Sequence, residues 1–106
     1  MKYYVVAEMQ ITDPGWVGPY VQNVTRMIEA SGGRYLARTP RIEKLEGDRP
    51  APQIQLLIEW PSREAAMAFY QSDEYRPYLE SRAAGGHTEL SLFAGEDVTG
   101  AARIAE

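Results

Sequence analysis

From Lys2 to Ile11 the apolar side chains Tyr3, Val5, Ala7, Met9 and Ile11 fall on odd positions, while the even positions turn from Tyr4 and Val6 to Glu8 and Gln10. A period of two predicts a strand with one clearly buried face. Asp13-Pro14 then reads as a helix start, because aspartate caps free amides and proline at the first helical position loses no hydrogen bond. Val17, Tyr20, Val21, Val24, Met27 and Ile28 follow at steps of three and four, the stripe of an amphipathic helix that stops at Gly32-Gly33. Arg34 to Leu45 reads as a second strand, with Tyr35 and Ala37 on one side and Leu36 and Arg38 on the other, interrupted at Pro40, which cannot donate to a ladder. The polar, turn-rich stretch from Glu46 to Pro52 is a loop.

Gln53 to Trp60 is the clearest strand, with Ile54, Leu56, Ile58 and Trp60 on one face and Gln55, Leu57 and Glu59 on the other. Pro61-Ser62 opens a second helix whose apolar face is Ala65, Ala66, Phe69 and Tyr70, with Ser62 as cap and Glu64 at the positive end of the dipole. Ser72-Asp73-Glu74 breaks it, and a further helical stretch runs from Tyr75 to Ala84, ended by Gly85-Gly86. His87 to Ala94 is the last strand.

The order β-α-β-β-α-β, with right-handed crossovers, predicts an α+β, ferredoxin-like domain over residues 1–95: a four-stranded antiparallel sheet with both helices on one face. Residues 96–106 form a tail expected to be mobile or to lie over a partner chain. The strands are apolar on their second side as well (Tyr4, Val6, Leu36, Leu57, Phe93), more than a monomer leaves exposed. A homodimer formed through that sheet face is therefore expected.

Composition narrows the classes. The chain has 106 residues, long enough to bury one core, and is 44% hydrophobic and 25% charged, the balance of a folded chain rather than a disordered one. A net charge of −4, with the eleven basic residues scattered, argues against nucleic acid as a partner. Without cysteine there is no thiolate nucleophile and no Cys-type metal site, and beside the one histidine there is no second histidine or cysteine to build a metal site. No cofactor, no metal and no membrane span are expected, and a cytoplasmic location is the default.

Several segments resemble the small bacterial proteins of domain-of-unknown-function family 1330, in the dimeric α/β-barrel group. They are Tyr4-Val5-Val6-Ala7-Glu8 with Thr12-Asp13-Pro14, then Gly32 to Arg38, Leu45-Glu46-Gly47, Glu59-Trp60-Pro61-Ser62, Ala65-Ala66, Phe69-Tyr70, Ser72 to Tyr75 and Arg82. The resemblance covers roughly residues 3–95 and implies a fold and a homodimer. It implies no reaction, because the wider group hosts many chemistries.

His87 and Arg38 are the catalytic candidates. The pKa of a histidine lies near neutrality, although a turn histidine in solvent fits the same position. Arg34 and Arg38 could fork a ligand carboxylate with Glu46 orienting them, or form a structural Arg–Glu pair. Arg82 invites the same two readings, and Tyr20 is a candidate donor to a small organic ligand. The other aromatics, Trp16, Tyr35, Trp60, Phe69, Tyr70, Tyr75 and Tyr78, suit core packing or an aromatic pocket. Three functions stay open: a dimeric protein with a small-ligand pocket, a cofactor-independent monooxygenase or isomerase acting on an aromatic or acidic substrate, and a structural partner domain.

Overall fold

In the computed structural model, which describes residues 1–104, the alternating segments pair as one antiparallel sheet. Its strands are β1 (Tyr3–Ile11), β2 (Arg34–Thr39), β3 (Ile54–Trp60) and β4 (Gly86–Ala94), in the order β2-β3-β1-β4. β1 lies at the centre, antiparallel to β3 and β4. The crossovers are α1 (Val17–Ala30), entered through a 3-10 turn at Pro14–Trp16, and the pair α2 (Arg63–Tyr70) and α3 (Arg76–Ala84). This is the expected α+β, ferredoxin-like arrangement. No helix among the described residues is long and apolar enough to cross a membrane.

The helix ends follow their local chemistry. The Asp13 carboxylate accepts from the Gly15 amide at 3.1 Å, and the Ser62 hydroxyl accepts from the Ala65 amide at 3.1 Å. At the end of α1 the backbone turns left-handed at Gly32 (φ +99°), which lets the Gly33 amide reach the Ile28 carbonyl at 2.9 Å. Ser72 separates α2 from α3: its hydroxyl donates to the Phe69 carbonyl at 2.7 Å and accepts from the Tyr75 amide at 3.3 Å.

Register fixes the two faces of the sheet. Val5 opposes Ile58, Ala7 opposes Leu56 and Met9 opposes Ile54, so these side chains share one face. Val24 and Ile28 of α1, with Ala66 and Phe69 of α2, close over that face. Val24 and Trp60 are almost completely buried, and each such side chain contributes on the order of 2 kcal/mol through lost apolar exposure.

Two expectations for the second strand are corrected. It ends at Thr39 rather than Leu45, because Pro40 cannot extend the ladder, and Leu45 stands 88% exposed. Arg38 also changes sides. A bulge between Tyr35 and Ala37 inserts one residue, so Tyr35 opposes Ile58 and Arg38 opposes Leu56. Tyr35 and Arg38 therefore share the helix-covered face, whereas unbroken alternation puts them on opposite ones.

Past β4 the Gly95 amide donates to the Lys2 carbonyl at 2.8 Å, and the chain leaves the sheet. Asp97 gathers the Thr99 hydroxyl, the Thr99 amide and the Ala102 amide into a surface turn, and the Thr99 hydroxyl above all holds its carboxyl below the usual range. The last two residues of the expected tail, 105 and 106, lie outside the described residues.

Candidate functional site

Between the sheet and the helices lies a cavity of about 160 Å³. Its floor is Val5, Met9 and Ile11 of β1 with Ile54, Leu56 and Ile58 of β3, and its walls are largely aromatic: Trp16, Tyr20, Tyr35, Trp60, Phe69 and Tyr75. The rings pack in a chain. Trp16 meets Tyr20 edge-on at 5.2 Å, Tyr20 meets Tyr75 at 6.2 Å, Tyr75 meets Phe69 at 4.5 Å, and Phe69 stacks on Trp60 at 5.7 Å.

Trp16 is held by its indole N–H, which donates to the Gly85 carbonyl at 3.0 Å; the amides of Thr12 and Asp13 donate to the same oxygen. Gly85 has an ordinary negative φ, so its role there is steric. A Cβ at this position would collide with the indole ring of Trp16.

Polar groups are few and grouped. The hydroxyls of Tyr20 and Tyr75 are 2.7 Å apart, and Arg82, only 7% exposed, donates to the Tyr75 hydroxyl at 3.3 Å. Among the described residues no carboxylate is within ion-pair distance of Arg82. Burial opposes its charge, but the oxygens of Tyr75 and Tyr20 outweigh that, and its pKa stays above an already high ordinary value. Arg82 is therefore a cation at every physiological pH.

Burial, reinforced by Tyr75, pushes the Tyr20 hydroxyl far above the usual tyrosine range, and the opposing pull of Arg82 is smaller. Tyr20 is thus a neutral phenol, a donor rather than a base, at neutral pH. The sign of the linkage follows. The folded chain keeps this proton above pH of about 10 while the unfolded chain loses it, so below that pH the hydroxyl leaves stability unchanged. Above it, stability falls by about 1.4 kcal/mol per further pH unit. In an ultraviolet titration of the seven tyrosines, Tyr20 should ionise only with unfolding. A Tyr20→Phe variant should lose that late component, and an unchanged titration would contradict this environment.

The sequence candidates are brought together only in part. Tyr20 and Arg38 line the same cavity, and Arg82 stands behind it against Tyr75. Arg38 lies over the Tyr35 ring at 4.3 Å and donates to the Thr25 hydroxyl at 3.1 Å. Arg34 is exposed on the edge strand, and Glu46 is exposed in the loop after β2. Among the described residues neither Arg34 nor Arg38 forms an ion pair with Glu46, so of the two readings offered for these residues the structural Arg–Glu pair is not formed: the loop carries Glu46 away once the strand stops at Thr39. His87 has a side chain 73% exposed and contacts Glu89 at 3.2 Å, outside the cavity.

Thr25 and the Tyr75–Arg82 contact were not read from the sequence. The contact had a signal, since residues seven apart lie two turns along one helical face. A larger groove of about 560 Å³ runs outside, between α1 and the α2–α3 segment, but it is open, and within it Arg26 donates to the Asn23 side chain at 2.9 Å. No group of three or more metal-ligating side chains exists among the described residues.

Comparison with known proteins places this geometry. The family described as Domain of unknown function (DUF1330) matches residues 2–96. No curated protein matches the chain in sequence. Among solved structures, the protein of unknown function RPA0582 from Rhodopseudomonas palustris is similar over 87% of this chain and 80% of its own, at 14% identity and a TM-score of 0.75. SnoaB, a cofactor-independent oxygenase from Streptomyces nogalater, is similar over 91% and 94%, at 13% identity and a TM-score of 0.63. Rv0793 from Mycobacterium tuberculosis is similar over 92% and 97%, at 16% identity and a TM-score of 0.60. At such identities the likeness extends to the fold and not to the chemistry.

Proposed function

We propose that this chain, which belongs to the DUF1330 family of domains of unknown function, binds a small, mostly apolar ligand of single-ring size in the cavity between sheet and helices, and does so as a homodimer. One observation carries the reading: an aromatic-walled cavity whose tyrosine pair has a hydroxyl proton to spare. Tyr20 and Tyr75 own two hydroxyl protons, and their mutual contact uses one. Arg82 only donates. No other acceptor among the described residues lies within hydrogen-bond distance of either hydroxyl, so one O–H is left to meet a ligand acceptor.

The volume sets the size of the guest. An apolar cavity of about 150 Å³ accommodates benzene. A cavity of about 160 Å³ with a polar end suits one ring bearing an oxygen, and excludes fused polycyclic molecules unless the walls move.

The dimer reading rests on the outer sheet face. There Val6 opposes Leu57, Ala37 opposes Leu57 from the other side, and Tyr4 stacks on Phe93, which is 48% exposed. Lys2–Glu59 at 3.4 Å and Arg49–Glu8 at 3.6 Å frame this apolar centre with charge, the anatomy of an interface with a polar rim.

Both tryptophans line the cavity, so intrinsic fluorescence reports occupancy directly. Titration with phenol should change it saturably, whereas naphthol should not. Absence of saturation by any single-ring compound up to the millimolar range would end the ligand reading. Light scattering after size exclusion should give the dimer mass, and Leu57→Asp the monomer mass. A monomeric wild type at micromolar concentration would end the dimer reading.

A further inference from the structure

The polar end of the cavity has a sign, and the sign selects the ligand. Among the described residues, Arg82 is a buried cation with no carboxylate beside it, in a chain whose net charge is −4 and which holds fifteen acidic residues. A guanidinium removed from water without a counter-charge is costly unless something supplies the missing negative charge. Its hydrogen-bond partner, the Tyr75 hydroxyl, is neutral, and Tyr20, whose oxygen also acts on the guanidinium, is held neutral by its surroundings. Arg38, the arginine that lines the cavity, is solvent-exposed and among the described residues likewise has no carboxylate partner: it rests on the Tyr35 ring and the Thr25 hydroxyl. Among the described residues, no Asp or Glu lines the cavity, and the charged groups associated with it are both cations.

Hydrogen-bond direction agrees with this. Arg82 can only donate, so Tyr75 accepts from it. A hydroxyl that accepts from a cation becomes a better donor, which aligns Tyr75 toward the Tyr20 oxygen 2.7 Å away and leaves the Tyr20 proton as the free end of the chain. The relay runs from a fixed positive charge to a neutral donor at the cavity wall. That arrangement favours an ionised oxygen over a neutral one, because the field of a buried cation is weakly screened in an apolar surrounding.

We infer that the Tyr20–Tyr75–Arg82 relay is an oxyanion-recognition site, so that the ligand of this cavity is a single-ring acid bound through an ionised oxygen, either a carboxylate or a phenolate. The inference rests on the ligand-binding reading above and adds the charge of the ligand and the residues that read it. Tyr20 makes the contact, and Tyr75 and Arg82 act through it as positioning residues.

The experiment compares charged and neutral guests of equal size on the full chain. Tryptophan fluorescence titrations use benzoate against benzyl alcohol, and visible absorbance follows 4-nitrophenol, whose ionised form is coloured. Benzoate, 4-nitrophenolate or both should bind at least about tenfold tighter than benzyl alcohol, a preference of about 1.4 kcal/mol. Bound nitrophenol should show the ionised spectrum at a pH where the free compound is still largely neutral. Benzoate alone identifies a carboxylate site and nitrophenolate alone a phenolate site; either result supports the relay.

Arg82→Met and Tyr20→Phe should each lower the affinity for the anion far more than that for benzyl alcohol, so that the preference of about tenfold falls to about twofold or less. A merely structural role for Arg82 would weaken all guests alike. If Arg82→Met fails to fold, Tyr20→Phe carries the same comparison. Equal or tighter binding of benzyl alcohol by the wild type overturns the oxyanion site while the cavity reading stands. Failure of every guest to bind overturns both.

Discussion

Trp60→Ala is expected to lower the unfolding free energy by about 3–5 kcal/mol, the largest effect of any single truncation in this chain. Trp60 is 2% exposed, stacks on Phe69 at 5.7 Å, and closes the end of β3 under both crossover helices. Removing the indole takes away its transfer free energy and joins the vacated space to a cavity that is already there. The surroundings then have little reason to collapse into the gap. A domain of this size has about 5–15 kcal/mol in total, so a large share of its stability would be lost. Urea denaturation followed by circular dichroism measures it. A loss below about 1.5 kcal/mol would mean that the sheet and helices close over the vacancy and that the packing around Trp60 is less fixed than described.

Arg82→Met is expected to do the opposite. Replacing a buried charge with an apolar side chain of similar volume is neutral or stabilising by about 1–4 kcal/mol where the charge has no strong partner. Among the described residues Arg82 meets only neutral hydroxyls, donating to Tyr75, and no carboxylate. The Tyr20–Tyr75 contact needs no third member, so its loss leaves no hydroxyl unsatisfied. Arg82→Ala differs, because it also removes the packed stem and leaves a void, and should cost about 1–3 kcal/mol. The two denaturation midpoints should therefore lie on opposite sides of the wild type, or the Met variant should coincide with it. A Met variant clearly less stable than the wild type would assign Arg82 a structural role. A gain in stability without the cation is what a residue retained for binding predicts, since functional sites hold groups that the fold alone does not favour.

Much of the architecture was legible because it depends on period. Alternation in 3–11 and 54–60, the three-and-four spacing of 17–28, and the caps at Asp13 and Ser62 are local properties, and they determined the order of elements. The break at Ser72 was legible for the same reason. The two apolar sheet faces also followed from alternation alone, and with them the expectation of a second copy.

The site was not legible in the same way, because it is made by contacts that no period encodes. Tyr20 and Tyr75 are fifty-five residues apart, and only the packing of α1 against the start of α3 brings their hydroxyls together. Arg38 reaches the cavity because one inserted residue at the bulge reverses the alternation of β2, a choice made by pairing with β3 rather than by the strand's own sequence. Glu46 is close to Arg34 and Arg38 only along the chain, and the end of the strand at Thr39 takes it away from them. The absence of a counter-charge at Arg82 is a property of three-dimensional surroundings. The sequence by itself determined which segments are strands and helices and which faces are apolar, since these arise from short-range geometry and burial. Tertiary structure alone decided which polar groups meet inside, because desolvation and hydrogen bonding act between neighbours in space.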